Sequence, residues 1–176
     1  TLFTAADVMR GQHLFQKHAL MQYGTIFGHG AYLGPDFTAQ YLHAAAAAMG
    51  AHYRASGLRD GEIAERVRQD FEQNRLQGDT LTFTAAQAAA LRELELFYAR
   101  YFAEPAQQSG LRRPTITDPR AIHDLTAYFA WAAWACTAHR PGNSYSYTND
   151  WPPEPAAGNQ ATADALFWSA VSLVAL

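Results

Sequence analysis

Leu20-Met-Gln-Tyr-Gly-Thr-Ile-Phe-Gly-His-Gly-Ala-Tyr-Leu-Gly-Pro-Asp-Phe-Thr38 interrupts a sequence that otherwise reads as helix. Between Tyr23 and Asp36 it holds four glycines and a proline. That composition marks a loop with close backbone turns. On its N-terminal side, Thr4-Ala-Ala-Asp7 has the form of a capping box. It opens a helix to about Leu20, with Val8, Leu14 and Phe15 on the apolar face. On the C-terminal side, Thr38 is the expected cap of a second helix, running through Ala44 to Ala48 as far as about Tyr53, and Ser56-Gly57 ends it.

Asp60 is the expected cap of a third helix, roughly 61–75, in which Ile63, Val67 and Phe71 recur every four residues with charges between them. After a turn at Gly78-Asp79, Thr80-Leu-Thr-Phe83 reads as a short extended piece. Thr84-Ala-Ala-Gln87 is a second capping box, before a helix with Leu91, Leu94, Tyr98 and Tyr101 on one face that closes at Glu104-Pro105. Residues 105–117 read as a loop. Asp118-Pro119 is an N-cap followed by proline at the first helical position. The helix behind it, to about Ala138, is apolar nearly all round and is expected at the centre of the core. From Arg140 to Asn159 there are four prolines and two glycines, which predicts an irregular, aromatic-studded linker. Ala165 to Leu176 carries no charge. It is shorter than the about 20 residues a membrane span needs. It reads either as a helix packed on the core or as the first turns of a transmembrane helix. Trp151 and Trp168, flanking its start, favour the second.

The chain has 176 residues, 49% of them hydrophobic and 16% charged, which fits one domain with a sizeable core and excludes a disordered chain. The net charge of −3 offers no basic stripe, so no nucleic-acid partner is expected. Thr1 in place of an initiator methionine points to a processed chain or a piece of a longer one. The single cysteine, Cys136, excludes an internal disulfide and a paired-cysteine metal knuckle, and its apolar surroundings suggest a small buried hydrophobe. His13 and His18 are five residues apart and His43 and His52 nine, spacings that do not put two ligands on one helix face. His29, His123 and His139 stand alone, so no metal site is expected. GxSxG, HExxH, Walker and GxGxxG patterns do not occur.

The helix, the glycine loop ending Gly34-Pro35-Asp36 and the later Tyr128-Phe-Ala-Trp131 resemble class I cytochromes c. The loop resembles more closely the stretch after CxxCH in the cytochrome c subunit of nitric oxide reductase. Leu20-Met-Gln-Tyr-Gly24 then stands where CxxCH would be, so Leu20 and Tyr23 replace the two thiols and Gly24 replaces the axial histidine. None of the three can form a thioether or ligate iron. Over most of its length the chain resembles the N-terminal cytochrome-c-like, haem-free domain of quinol-dependent nitric oxide reductases. Leu20 to Thr38, Tyr128 to Trp134 and Arg140-Pro-Gly-Asn-Ser-Tyr-Ser-Tyr-Thr-Asn-Asp-Trp-Pro152 carry the likeness, with Gly158-Asn159 and Phe167-Trp-Ser169 behind them.

The resemblance implies a mainly α, cytochrome-c-like helical domain with a long helical insertion, a glycine-rich loop and little or no strand. It divides the chain into a haem-less domain over 1–139, a membrane-proximal linker over 140–164 and the start of a transmembrane helix over 165–176. It implies a parent oxidoreductase that reduces nitric oxide to nitrous oxide with electrons from quinol, in denitrification or nitric oxide detoxification. Haem b, haem b3 and non-haem iron would lie in membrane helices outside this chain, leaving no catalytic, cofactor or metal residue here. The expected partners are the membrane-embedded part of the same polypeptide, the lipid bilayer and quinol, at the extracytoplasmic face of a bacterial inner membrane. The expected role is structural, with the former haem pocket filled by Tyr23, Phe27 and Tyr32. Aromatics Tyr145, Tyr147 and Trp151 are candidates to anchor the domain or border quinol entry, against simple linker packing. Two alternatives are an electron carrier holding haem through one of the seven histidines and an unrelated soluble helical module that binds a partner.

Overall fold

Short polar side chains take up the free N–H groups at the helix starts. In the computed structural model, which describes residues 1–105 and 109–175, Thr4 caps α1 (Ala5–Lys17) in the expected box, its N–H donating to Asp7 Oδ2 at 2.6 Å. Thr84 and Gln87 do the same for α4 (Ala85–Ala103). Asp118 and Pro119 open α5 (Pro119–Thr137) as the sequence predicts.

Other boundaries shift for local reasons. α1 stops at Lys17, short of Leu20, because Ala19 turns left-handed at φ 50° and starts a 3-10 turn over Leu20–Gln22. The cap of α2 (Phe37–Ala55) is Asp36, which accepts the Ala39 N–H at 2.9 Å. Thr38, the expected cap, is buried inside the helix. α3 (Asp60–Glu72) starts from Arg59, with Asp60 its first residue. The extended piece is half of a hairpin: β1 (Leu76–Gln77) pairs antiparallel with β2 (Thr80–Leu81) across Gly78-Asp79. Among the described residues this is the only sheet, so the domain is mainly helical as expected.

α1 makes its broadest contact with α5, which also touches α2, α3 and α4. The two helices cross at Gly11, where a Cβ would lie 2.0 Å from the Asp124 carbonyl oxygen and 2.7 Å from Tyr128 Cβ. Only hydrogen fits there. Around α5 the core gathers Leu20, Phe37, Leu42, Tyr98, Phe102 and Phe129, all fully buried.

The irregular segment after α5 folds back on the domain. His139 N–H donates to Glu72 O at 2.9 Å, Tyr147 N–H to Ala135 O at 3.2 Å and Asn159 Nδ2 to Pro152 O at 2.7 Å. α6 (Ala163–Ala175) follows and buries no residue, which overturns the reading of the tail as a helix packed on the core. No described helix is long and apolar enough to cross a membrane.

Candidate functional site

The Leu20–Asp36 loop closes on itself. Thr25 N–H donates to Pro35 O at 3.1 Å and Phe37 N–H to Thr25 O at 2.7 Å. The Asp36 carboxylate accepts from Thr25 Oγ1 at 2.8 Å and from Gly28 N–H at 2.7 Å while it caps α2. The buried Thr38 hydroxyl accepts the Phe27 N–H at 3.0 Å. Asp36 is therefore the hub of the loop. The sequence signal for it, an acid directly before a helical run, competes with that of Thr38 two residues on.

This closure folds Phe37 back over the motif. Leu20 points inward and is fully buried. A Cβ on Gly24 would sit 2.5 Å from Phe37 Cε2 and 2.6 Å from Pro35 O. Phe37 lies parallel to Phe129 at 4.9 Å and is met edge-on by Phe15 at 5.9 Å and Tyr101 at 6.0 Å. Residues 20, 23 and 24 thus offer no thiol and no imidazole, and an aromatic ring holds the space that a side chain at 24 would need. They do not fit a covalently bound haem. Gly24→Ala is expected to cost about 1–3 kcal/mol through this overpacking, read as a lower urea midpoint. An unchanged midpoint would mean that Phe37 yields freely.

The three expected fillers lie in different surroundings. Tyr23 packs on the core beneath the backbone of Gly110, where a Cβ would lie 3.3 Å from its ring. Phe27 meets Trp131 edge-on at 6.2 Å. Tyr32 stands wholly in solvent at 107% relative exposure and fills nothing. The ring packed over Gly24 is Phe37, backed by Phe102 and Phe129. The cavity between α2, α3, α4 and α5 holds about 30 Å³, lined by Tyr41, Met49, Phe71, Phe83 and Trp134 among others. That is room for about one water molecule. Surface clefts of about 280 Å³ and about 330 Å³ flank Leu96, away from residues 20–24.

None of the seven histidines is buried. His123 does not stand alone, as its sequence position suggested. Its Nδ1 lies 2.7 Å from Glu95 Oε1, and it shares a cluster with Asp7 and Asp124 whose ligand atoms lie within 4.8 Å of one another. Arginines already serve these carboxylates. Arg10 Nε is 2.9 Å and Arg120 Nε 3.3 Å from Asp124, and both guanidinium groups also bind Asp7. A divalent cation would have to displace two cations, so the cluster works as a clasp between α1 and α5. Cys136 is fully buried, and burial pushes its thiol up to about 12, which removes it as a nucleophile.

Burial raises the pKa of Asp7, but hydrogen bonds from the Thr4 side chain and backbone and the charges of Arg120 and Arg10 outweigh it and hold the group below its ordinary value. Such an acid stabilises the fold above its unfolded pKa and loses that contribution as pH falls through the folded value. Stability should therefore decline below about pH 4. Urea midpoints measured from about pH 6 to about pH 3 should fall, and Asp7→Asn should flatten the fall. An equal slope in the variant would remove Asp7 from the cause.

A family model for the NorB cytochrome c-like domain of nitric oxide reductase matches residues 1–153. The chain belongs to this family. The match runs from α1 through the loop, all of α5 and the first half of the linker, so it covers every residue of the closed motif. It sets aside the alternative of an unrelated helical module. A search of curated proteins gives no match. Within this domain α1 crosses α5 at Gly11, and the closed loop carries Leu20, Tyr23 and Gly24.

Proposed function

We propose that this chain is the haem-free, non-catalytic extracytoplasmic module of a quinol-dependent nitric oxide reductase. It sits at the outer face of a bacterial inner membrane and caps the membrane-embedded catalytic part of the same polypeptide, with α6 entering the bilayer. The observation that carries this reading is the Phe37 ring lying where a side chain at Gly24 would have to be. A domain built around that ring has no means of accepting electrons from a soluble donor through haem c. Electrons drawn from quinol in the bilayer require no such entry. Haem b, haem b3 and non-haem iron belong to the membrane helices of the parent enzyme, and no step of the reaction is assigned to residues of this chain.

The test is the absorption spectrum of the purified chain, oxidised and reduced, after haemin is added and excess removed. A flat visible region is expected. A stoichiometric Soret band that shifts on reduction would overturn the structural role and bring forward the electron-carrier reading, with one of the seven histidines as ligand.

A further inference from the structure

We propose that the domain stands on the lipid headgroup layer through a preset aromatic foot made of Trp131, Trp151 and the root of α6. This rests on the proposed entry of α6 into the bilayer. Every described residue of α6 is exposed or half-buried, and residues 165–175 carry no charge. A helix apolar all round is the kind that hydrocarbon or a protein core surrounds. The domain supplies no such cover.

The root of α6 is fixed to the domain. Thr162 N–H donates to Asn149 O at 3.2 Å, and the Thr162 carbonyl and hydroxyl take up the N–H groups of Leu166 and Ala165 at 3.1 and 3.3 Å. Asn149 and Asp150 are both left-handed, at φ 55° and 59°, a costly conformation for two successive non-glycine residues. Ser146 holds the turn: its N–H donates to Asp150 Oδ1 at 2.8 Å and its Oγ accepts the Asp150 N–H at 2.8 Å. Trp151 comes next, and its indole N–H donates to Gly28 O at 3.2 Å. Phe27, one residue back on that loop, meets Trp131. Contacts therefore run unbroken from Thr162 through Asn149, Trp151 and the glycine loop to Trp131.

Both tryptophans are 39% exposed. Trp151 follows the turn that holds the root of α6, Trp131 is tied to it through Phe27 and Gly28, and such half-covered amphipathic rings match the membrane boundary, where tryptophan is enriched. Charge does not supply the attraction. Between residues 140 and 164 Asp150, Glu154 and Asp164 face one cation, Arg140, so acidic lipid gains nothing. The occupant is accordingly the neutral headgroup layer, with binding insensitive to salt.

The experiment uses the whole chain with phosphatidylcholine vesicles carrying bromine at shallow or deep acyl positions. Single-tryptophan variants keep only Trp151 or only Trp168, the others being Phe, and each is checked for native circular dichroism. We expect Trp168 to be quenched, Trp151 to be quenched more by shallow than by deep bromine, and the double variant Trp131→Phe/Trp151→Phe to partition about fivefold more weakly. The last measurement stands if a single-tryptophan variant fails to fold. If Trp168 is not quenched, the bilayer reading of α6 fails and the foot fails with it. If Trp168 is quenched and Trp151 is not, α6 is in the membrane and the foot alone is overturned, leaving that face to the membrane-embedded protein.

Discussion

Truncation of Phe37 to alanine is expected to lower the free energy of unfolding by about 3–5 kcal/mol, the range for a large aromatic removed from a packed core. The ring is fully buried and touches rings from three directions: Phe129 on its face, Phe102 at 6.1 Å, and Phe15 and Tyr101 at its edges. Phe129 and Phe102 belong to α5 and α4, so collapse into the gap would require two long helices to move. Relaxation should be small and the penalty near the top of the range. Phe37→Leu keeps most of the volume and should cost about 1.5 kcal/mol. The apolar hole left by alanine should stay dry and accept benzene, which would recover part of the loss. Urea unfolding of the three proteins with and without benzene gives these numbers. A loss below about 1 kcal/mol in Phe37→Ala would mean that the ring is not held by close packing on α4 and α5.

Much of the scaffold is legible because its signals are local. Thr4, Thr84 and Asp118-Pro119 mark helix starts by short-range hydrogen bonding or by the fixed φ of proline, and all three hold. That Leu20, Tyr23 and Gly24 bring no thiol and no imidazole is also legible, since it depends on residue type alone. Which ring packs over Gly24 is not. Tyr32 is close in sequence to the motif, which puts it among the expected fillers, yet it lies in solvent. The ring over Gly24 is instead Phe37, which the Thr25 to Asp36 closure carries back. Such closure depends on backbone hydrogen bonds that no residue pattern announces. The proline-rich segment after Arg140 is irregular, as its composition predicts, but irregularity says nothing about packing, and its bonds to Ala135 and Gly28 reach residues on other elements or far away in sequence. The neighbours of His123 are hidden for the same reason: Asp7 and Glu95 stand on α1 and α4.

Asp70 is the least legible residue of all, and its removal should be the second large effect. Its place among the charges of α3 reads as a solvated face, yet it is 1% exposed. Its carboxylate accepts hydrogen bonds from the Tyr53 hydroxyl, from Thr84 Oγ1 at 3.0 Å and from Arg75 Nη2 at 3.1 Å, with Arg66 Nε at 3.7 Å. One side chain thereby ties α2, α3, the approach to the hairpin and the start of α4 together. Asp70→Ala leaves two hydroxyls and the largely buried Arg75 guanidinium without this partner. Loss of one member of a buried charge pair costs about 3–5 kcal/mol, because the other charge stays desolvated. Asp70→Asn keeps an acceptor oxygen for Tyr53 or Thr84 and should lose about 2 kcal/mol. Removing Arg66, which is half exposed, should cost under about 1 kcal/mol. The graded order Ala, Asn, then the Arg66 variant, measured as urea midpoints, is the signature of a buried hub. If Asp70→Ala cost no more than Arg66→Ala, the pairing around Asp70 would be a surface network with no hold on the helices.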